Sequence, residues 1–108
     1  MNTPATVKTA TRSPKFQLGQ IVATPGALGA MEESGEMPMK FLARHVVGDW
    51  GDVCENDKAA NNNAVAHEGT SERQERVLSA YCTSRGVKLW IITEWDRSAT
   101  TLLLPEEY

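Results

Sequence analysis

The segment "VKLWIITEW", residues 87–95, constrains the fold more than any other stretch of this 108-residue chain. Its side chains alternate between two sets, one with Leu89 and Ile91 and the other with Trp90 and Ile92. Alternation with a period of two is typical of a β-strand, and a strand that is apolar on both faces belongs in the middle of a sheet. We therefore predict a central strand with Leu89 and Ile91 in the core.

The segments on either side predict the neighbours of this strand. "RVLSAYCT" precedes it, and "SRG" joins the two with Gly86, which suits the positive φ of a hairpin loop. "DRSA" makes a second turn before "TTLLL". The C-terminal third is thus predicted to be a three-stranded antiparallel meander.

The first half predicts a strand and then helices. We expect a strand from about Phe16 to Ala23, with a bulge or a close backbone approach at Gly19. Two helices follow, because prolines suit a first helical turn and glycines suit a helix end. The first helix is bounded by Thr24, Pro25 and Gly35, and its predicted buried stripe is Leu28 and Met31. The second helix is bounded by Pro38 and Gly48. Its apolar face is made of Phe41, Leu42, His45 and Val46.

A third helix over residues 55–68 is the weakest prediction, since three consecutive asparagines are poor helix formers. The helical spacing there indicates a face made of Ala59, Ala60, Ala64 and Val65. The fold class is α+β, in the order β-α-α-(α)-β-β-β, with an antiparallel C-terminal meander and the helices packed on one face. Residues 1–15 predict a flexible tail and residues 16–108 a single domain.

Charge and cysteine content limit the classes of function. Residues 1–15 carry three bases and no acid, and the remainder carries eight bases against 14 acids. An acidic body disfavours nucleic-acid binding, which depends on cations that neutralise phosphates. No stretch approaches the length of a membrane span, and two cysteines are too few for a disulfide framework. We expect a cytoplasmic protein.

No motif for a cofactor, a metal or a catalytic nucleophile is present. His45, Cys54, His67 and Cys82 lack the close pairing that structural zinc sites use. Cys82 lies in a predicted strand without a basic neighbour to activate it. We therefore expect two buried, inert thiols, no cofactor and a non-enzymatic protein.

Two regions are candidate partner-binding sites. In "GDWGD", Trp50 either forms an exposed anchor framed by Asp49 and Asp52 or folds back onto the core, and the second interpretation is favoured. Trp90 and Ile92 share the face of the central strand opposite Leu89, where they would form an apolar patch for a partner or for a homodimer. By the same alternation, Trp95 would share the face of Leu89.

An alternative site comprises basic residues of the C-terminal half. Arg76, Arg85 and Arg97 could contact phosphate if the turns and the sheet brought them together. The simpler interpretation is a solvated set of charges balanced by nearby acids, among them Glu75, Glu94 and Asp96.

The segments "FQLGQIVATPGAL", "GDWGD" and "WIITEWDRSATTLLLPEEY" resemble a family of small bacterial proteins labelled plasmid-related, which occur on plasmids and integrative elements. The resemblance implies a genomic setting and no particular reaction. We therefore expect an accessory protein of a mobile element that binds another macromolecule, for example an inhibitor of a host defence system. At the level of element order the chain is also similar to RelE/ParE toxins, which makes a ribonuclease or a toxin the alternative.

Overall fold

The computed structural model describes residues 13–70 and 74–108, and these form a four-stranded sheet with three α-helices. Residues 1–12 of the predicted tail lie outside the described residues, whereas the main-chain N–H of Lys15 already donates to the carbonyl of Val46. The element order confirms the predicted α+β fold, with the third helix formed. The strands are β1 (Gln20–Ala23), β2 (Val77–Cys82), β3 (Lys88–Thr93) and β4 (Ala99–Leu103), and the helices are α1 (Pro25–Ser34), α2 (Pro38–Val46) and α3 (Glu55–Ala66).

The strand order in the sheet is β1-β4-β3-β2. The strands β2, β3 and β4 form the predicted antiparallel meander with β3 inside it, and β1 runs parallel to β4. β1 begins four residues later than the predicted start at Phe16. The reason is Gly19, where φ is 65° and the main chain of Arg97 and Ser98 leaves no room for a Cβ. The close backbone approach predicted at Gly19 is therefore confirmed.

Helix α1 has the predicted boundaries but a different buried face. The Thr24 hydroxyl accepts a hydrogen bond from the Ala27 N–H, and Gly35 ends the helix with a φ of 73°. Met31 is buried as predicted, but Leu28 is 50% exposed, and the other inward positions are Ala27 and Ala30. Small side chains let α1 approach the sheet closely, so the predicted role of Leu28 was wrong.

The core lies between the sheet and the first two helices, on what we call the helix-covered face. Leu89 and Ile91 are fully buried there, which confirms the predicted centre of the core. Phe41 and Leu42 of α2 pack against them, together with Leu102 of β4.

Helix α3 lies beside β2, and its orientation differs from the predicted one. Ala59 and Ala60 are exposed, whereas Asn61 and Ala64 are buried. The carboxamide of Asn61 donates to the Leu78 carbonyl at 2.6 Å and accepts from the Leu78 N–H at 3.0 Å. An amide that completes the hydrogen bonding of a strand edge must face inward, because a buried main-chain group without a partner is costly.

The segment 50–52 covers the next part of the same edge. The Ala80 N–H donates to the Trp50 carbonyl at 3.0 Å, and the Asp52 N–H donates to the Ala80 carbonyl at 2.7 Å. Gly51 has a φ of 75°, and a Cβ there would overlap the Ala80 carbonyl. The glycine is thus needed for this contact, and the outer edge of β2 is closed by both Asn61 and the segment 50–52.

None of the described helices is long and apolar enough to cross a membrane.

Candidate functional site: the open face of the sheet

The second face of the sheet, here called the open face, carries a separate apolar cluster. Leu78, Ile92 and Leu103 come from β2, β3 and β4 and pack together with part of Trp90 and Val53. The cluster includes no side chain of α1, α2 or α3. Trp90 and Ile92 therefore share the face opposite Leu89, as the alternation in the sequence predicts.

Exposure differs between the two predicted partner-binding residues of this face. Trp90 is half-buried, but Ile92 is only 7% exposed. Ile92 is thus part of the floor of this face beneath other side chains, and Trp90 is the more exposed of the two. Trp95 lies beyond the end of β3 at Thr93 and is 54% exposed, so the alternation does not extend to it and its predicted place on the face of Leu89 was wrong.

The C-terminal residues fold over one side of the open face. A 3-10 turn at Pro105–Glu107 brings Tyr108 against Trp90, with ring centroids 5.7 Å apart in an edge-to-face arrangement. Tyr108 itself is largely exposed. The two rings therefore present an aromatic pair to solvent, with Trp90 held by the sheet and Tyr108 held by the turn.

Glu107 fixes the position of this turn. Its carboxylate accepts hydrogen bonds from the Thr24 hydroxyl, from the Gly26 N–H at 3.0 Å and from the Leu104 N–H at 2.9 Å. The hydrogen bond from Thr24, followed by that from Leu104, lowers the pKa of Glu107. The carboxylate thus sits at the N-terminus of α1, where the helix dipole favours negative charge.

A cavity of about 330 Å³ opens between the C-terminal residues and the sheet. Its floor is formed by the nearly buried Ile92 and Leu103, and the charged side chains of Arg76 and Glu94 also line it. The volume is at the lower end of the range of about 300–1,000 Å³ for ligand pockets. An apolar floor with polar surroundings suits an apolar side chain presented by a partner. The complete lining is Thr24, Arg76, Ile92, Glu94, Thr101, Leu103, Glu107 and Tyr108.

The "GDWGD" segment does not supply an exposed aromatic anchor. Trp50 is 5% exposed, and its Nε1–H donates to Asn62 Oδ1 at 2.9 Å. Asp49 pairs with Arg44 at 2.7 Å, and Asp52 is exposed beside the edge of β2. The favoured interpretation, in which Trp50 folds back onto the core, describes the structure, and the partner-binding role considered for Trp50 is corrected.

Trp50 contributes to a buried polar network around His45. His45 is fully buried between the rings of Phe16 and Trp50, with Nδ1 2.6 Å from Ser79 Oγ and Nε2 2.9 Å from Thr93 Oγ1. Burial, and secondarily the positive charge of Arg97, lowers the pKa of His45 to about 3.

The hydrogen-bond chain fixes the tautomer of this neutral imidazole. Thr100 Oγ1 donates to the Leu18 carbonyl at 2.7 Å, so it must accept from Thr93 Oγ1, 2.7 Å away. Thr93 has then used its only proton and accepts from His45 Nε2–H, which leaves Nδ1 to accept from Ser79. Every group in the chain has a partner, so this histidine serves the packing of the core.

The three arginines of the alternative site are not brought together. Arg97 is buried, binds Glu68 with Nε and Nη2, and donates through Nη1 to the carbonyls of Glu75 and Glu94. Arg76 and Arg85 flank opposite ends of the six-residue strand β2, which is about 20 Å long. The predicted phosphate-contacting set is therefore corrected. Arg97 is occupied by hydrogen bonds to neighbouring segments, and Arg76 and Arg85 are far apart.

The potential metal ligands are also dispersed. Across residues 13–70 and 74–108, no group of three or more His, Cys, Asp or Glu side chains could hold a metal ion. Cys54 and Cys82 are both exposed free thiols, contrary to the expected burial. Cys54 occupies the N-cap of α3, and Cys82 lies at the end of β2, where the alternation turns it away from the core.

The fold thus defines a small α+β protein with one helix-covered face and one open face. No known protein family, curated protein or solved structure matches the chain.

Proposed function

We propose that this chain is a non-enzymatic protein that binds another protein through the open face of its sheet. The observation that supports the proposal most directly is the aromatic pair of Trp90 and Tyr108 beside the cavity over Ile92 and Leu103. Tryptophan and tyrosine are enriched among residues that dominate binding energy, because they combine a large apolar area with a polar group. An apolar side chain of the partner would enter the cavity beside Tyr108, and the neighbouring Trp90 ring would extend the contact.

The charge of this surface favours a protein over a nucleic acid. The cavity has one basic residue, Arg76, against two acids, Glu94 and Glu107. The chain as a whole has a net charge of −3. A nucleic-acid site of this size would need several cations to neutralise phosphates. Mixed charge around an apolar centre is instead typical of the rim of a protein interface.

The resemblance to plasmid-related proteins supplies a biological setting for the proposal. We propose that the chain is an accessory protein of a mobile element and that inhibition of a host defence system is one form of its activity. Such an inhibitor acts by occupying a surface of its target, so it needs a stable binding face rather than a catalytic group.

A capture experiment with two matched tryptophan variants tests the binding face. Purified chain immobilised on a support would be exposed to a bacterial lysate, and the retained proteins identified by mass spectrometry. Trp90→Ala should lose a partner that the wild-type chain and Trp95→Ala both retain. Trp95 is the matched control because it is an exposed tryptophan outside the strands. Equal retention by all three proteins would show that the open face is not the binding site.

The magnitude of the effect can be measured once a partner is in hand. Loss of a central aromatic anchor costs about 2 kcal/mol or more, which corresponds to a roughly thirtyfold weaker Kd. Growth arrest on induced expression, undiminished by Trp90→Ala, would instead favour the toxin alternative, which has the element order as its support.

A further inference from the structure

The two edges of the sheet are treated differently by the rest of the described chain. The edge at β2 is closed by Asn61 and by the segment 50–52. The edge at β1 has no neighbouring strand in the parts of the chain that the structure describes. Ile21 and Val22 of β1 are 46% and 43% exposed. A bare strand edge with exposed β-branched side chains is a template for pairing with another strand.

The hydrogen bonds of β1 show which of its main-chain groups are available. The Gln20 N–H donates to the Ser98 carbonyl and the Thr24 N–H to the Leu102 carbonyl, each at 3.0 Å. Alternate residues of a strand point their N–H and C=O groups in opposite directions in the plane of the sheet. The groups of Ile21 and Ala23 therefore point outward, away from β4.

The sequence around β1 lacks two of the usual protections of a sheet edge, charge and proline. No charged residue occurs between Lys15 and Glu32, and β1 contains no proline. Native proteins commonly block such edges with lysine, proline or a bulge. A strand without charge also meets its own copy without repulsion.

We propose that β1 pairs with β1 of a second copy of this chain, antiparallel and about a two-fold axis at Val22. Ile21 and Ala23 of each copy would exchange two reciprocal pairs of main-chain hydrogen bonds. The two Val22 residues would face each other as a non-hydrogen-bonded pair, with Cα atoms about 4.5 Å apart. This inference does not rest on the proposed function, because it uses the edge of the sheet and not the cavity.

The difference between the edges also sets the size of the assembly. Pairing at β1 consumes the bare edge of each copy, and the edges that remain are the covered ones at β2. A two-fold contact of this kind uses the same surface on both copies and closes on itself. The product is a dimer with one eight-stranded sheet, and not a filament.

Cysteine cross-linking tests the pairing and its register directly. In a background with Cys54→Ser and Cys82→Ser, Val22→Cys should form a disulfide-linked dimer under mild oxidation, because the expected separation of Cα atoms suits a disulfide. Gln20→Cys is the matched control, since it is exposed on the same strand. In the proposed register Gln20 faces Thr24 of the other copy, which leaves the two Gln20 residues about 13 Å apart along the strands. Equal cross-linking of the two variants, or none with Val22→Cys, would overturn the proposal.

A second experiment measures the self-association of the chain without a cross-link. Light scattering coupled to size exclusion, at increasing protein concentration, should show the wild-type mass rising toward twice that of the monomer. Val22→Lys should stay monomeric, because it places two like charges opposite each other, whereas Val22→Thr should still dimerise. Thermal melts of both variants confirm that each is folded, since Val22 is exposed at an edge. A dimer that persists in Val22→Lys, or a wild-type chain that remains monomeric throughout, would contradict the proposal.

Discussion

The two faces of the sheet carry similar apolar residues and are covered in different ways. On the helix-covered face, Leu89 and Ile91 are fully buried, and a closed hydrogen-bond chain surrounds the buried His45. On the open face, Ile92 and Leu103 are nearly as well buried, but they are covered by side chains and a C-terminal turn instead of a helix. Burial by a packed helix stabilises the fold, whereas burial under a few side chains leaves a surface that a partner can use.

Truncation of a side chain on the helix-covered face should have the largest effect on stability. Leu89→Ala removes a fully buried side chain and leaves a cavity, so the free energy of unfolding should fall by about 2–5 kcal/mol. Denaturant unfolding measures the change, and Lys88→Ala, an exposed position on the same strand, is the control. An unchanged midpoint for Leu89→Ala would mean that the covered face does not hold the fold together.

Acid should destabilise the folded chain, because His45 on the helix-covered face is buried in its neutral form. The folded-state pKa of about 3 lies below the ordinary histidine pKa of 6.5, so the unfolded chain takes up a proton first. The contribution of His45 is fully present above pH 6.5 and falls by about 1.4 kcal/mol per pH unit as the pH drops toward 3. Between pH 6.5 and 3, the free energy of unfolding should vary less with pH for His45→Gln than for the wild-type chain. Parallel profiles would show that His45 is not the group responsible.

The stability of the sheet edge at β2 should depend on the Asn61 carboxamide. Asn61→Ala leaves the Leu78 N–H and C=O without their partner, which should cost about 1–3 kcal/mol. Asn63→Ala, at an exposed position of the same helix, should be neutral or slightly stabilising, because alanine is the better helix former. Thermal melts of the two variants decide the matter, and equal losses would refute the role of the Asn61 carboxamide.

The smallest effect on stability is expected on the open face. Trp90→Ala removes a half-buried ring that packs on Tyr108, so the free energy of unfolding should fall by only about 1 kcal/mol. The variant should differ from Leu89→Ala in losing binding more than stability. A loss as large as that of Leu89→Ala would remove the distinction between the faces.

Much of the fold could be predicted because its signals are local. The alternation around Leu89 and Ile91 needs only neighbouring residues, and so do the capping at Thr24 and the helix end at Gly35. Each depends on backbone geometry within one turn or one strand. The same alternation correctly separated Trp90 from Leu89, and it failed for Trp95 because no local signal marks the end of β3 at Thr93.

Only part of the candidate site could be predicted, because the rest depends on contacts between distant segments. The sequence indicated that Trp90 would lie on the open face, but the aromatic pair with Tyr108 depends on Glu107, whose partners Thr24 and Gly26 lie more than 80 positions away. Likewise, the distribution of arginines along the chain could not reveal that Arg97 is held by Glu68.

The sequence by itself determined the order of the elements and the central position of β3, because periodicity and capping act over a few residues. Tertiary structure alone decided that β1 lies parallel to β4 and that Asn61 faces inward. These outcomes depend on hydrogen bonds and contacts between segments far apart in the chain. A main-chain or side-chain polar group must find a partner once it is buried, and which partner is available is decided only when the whole chain has packed.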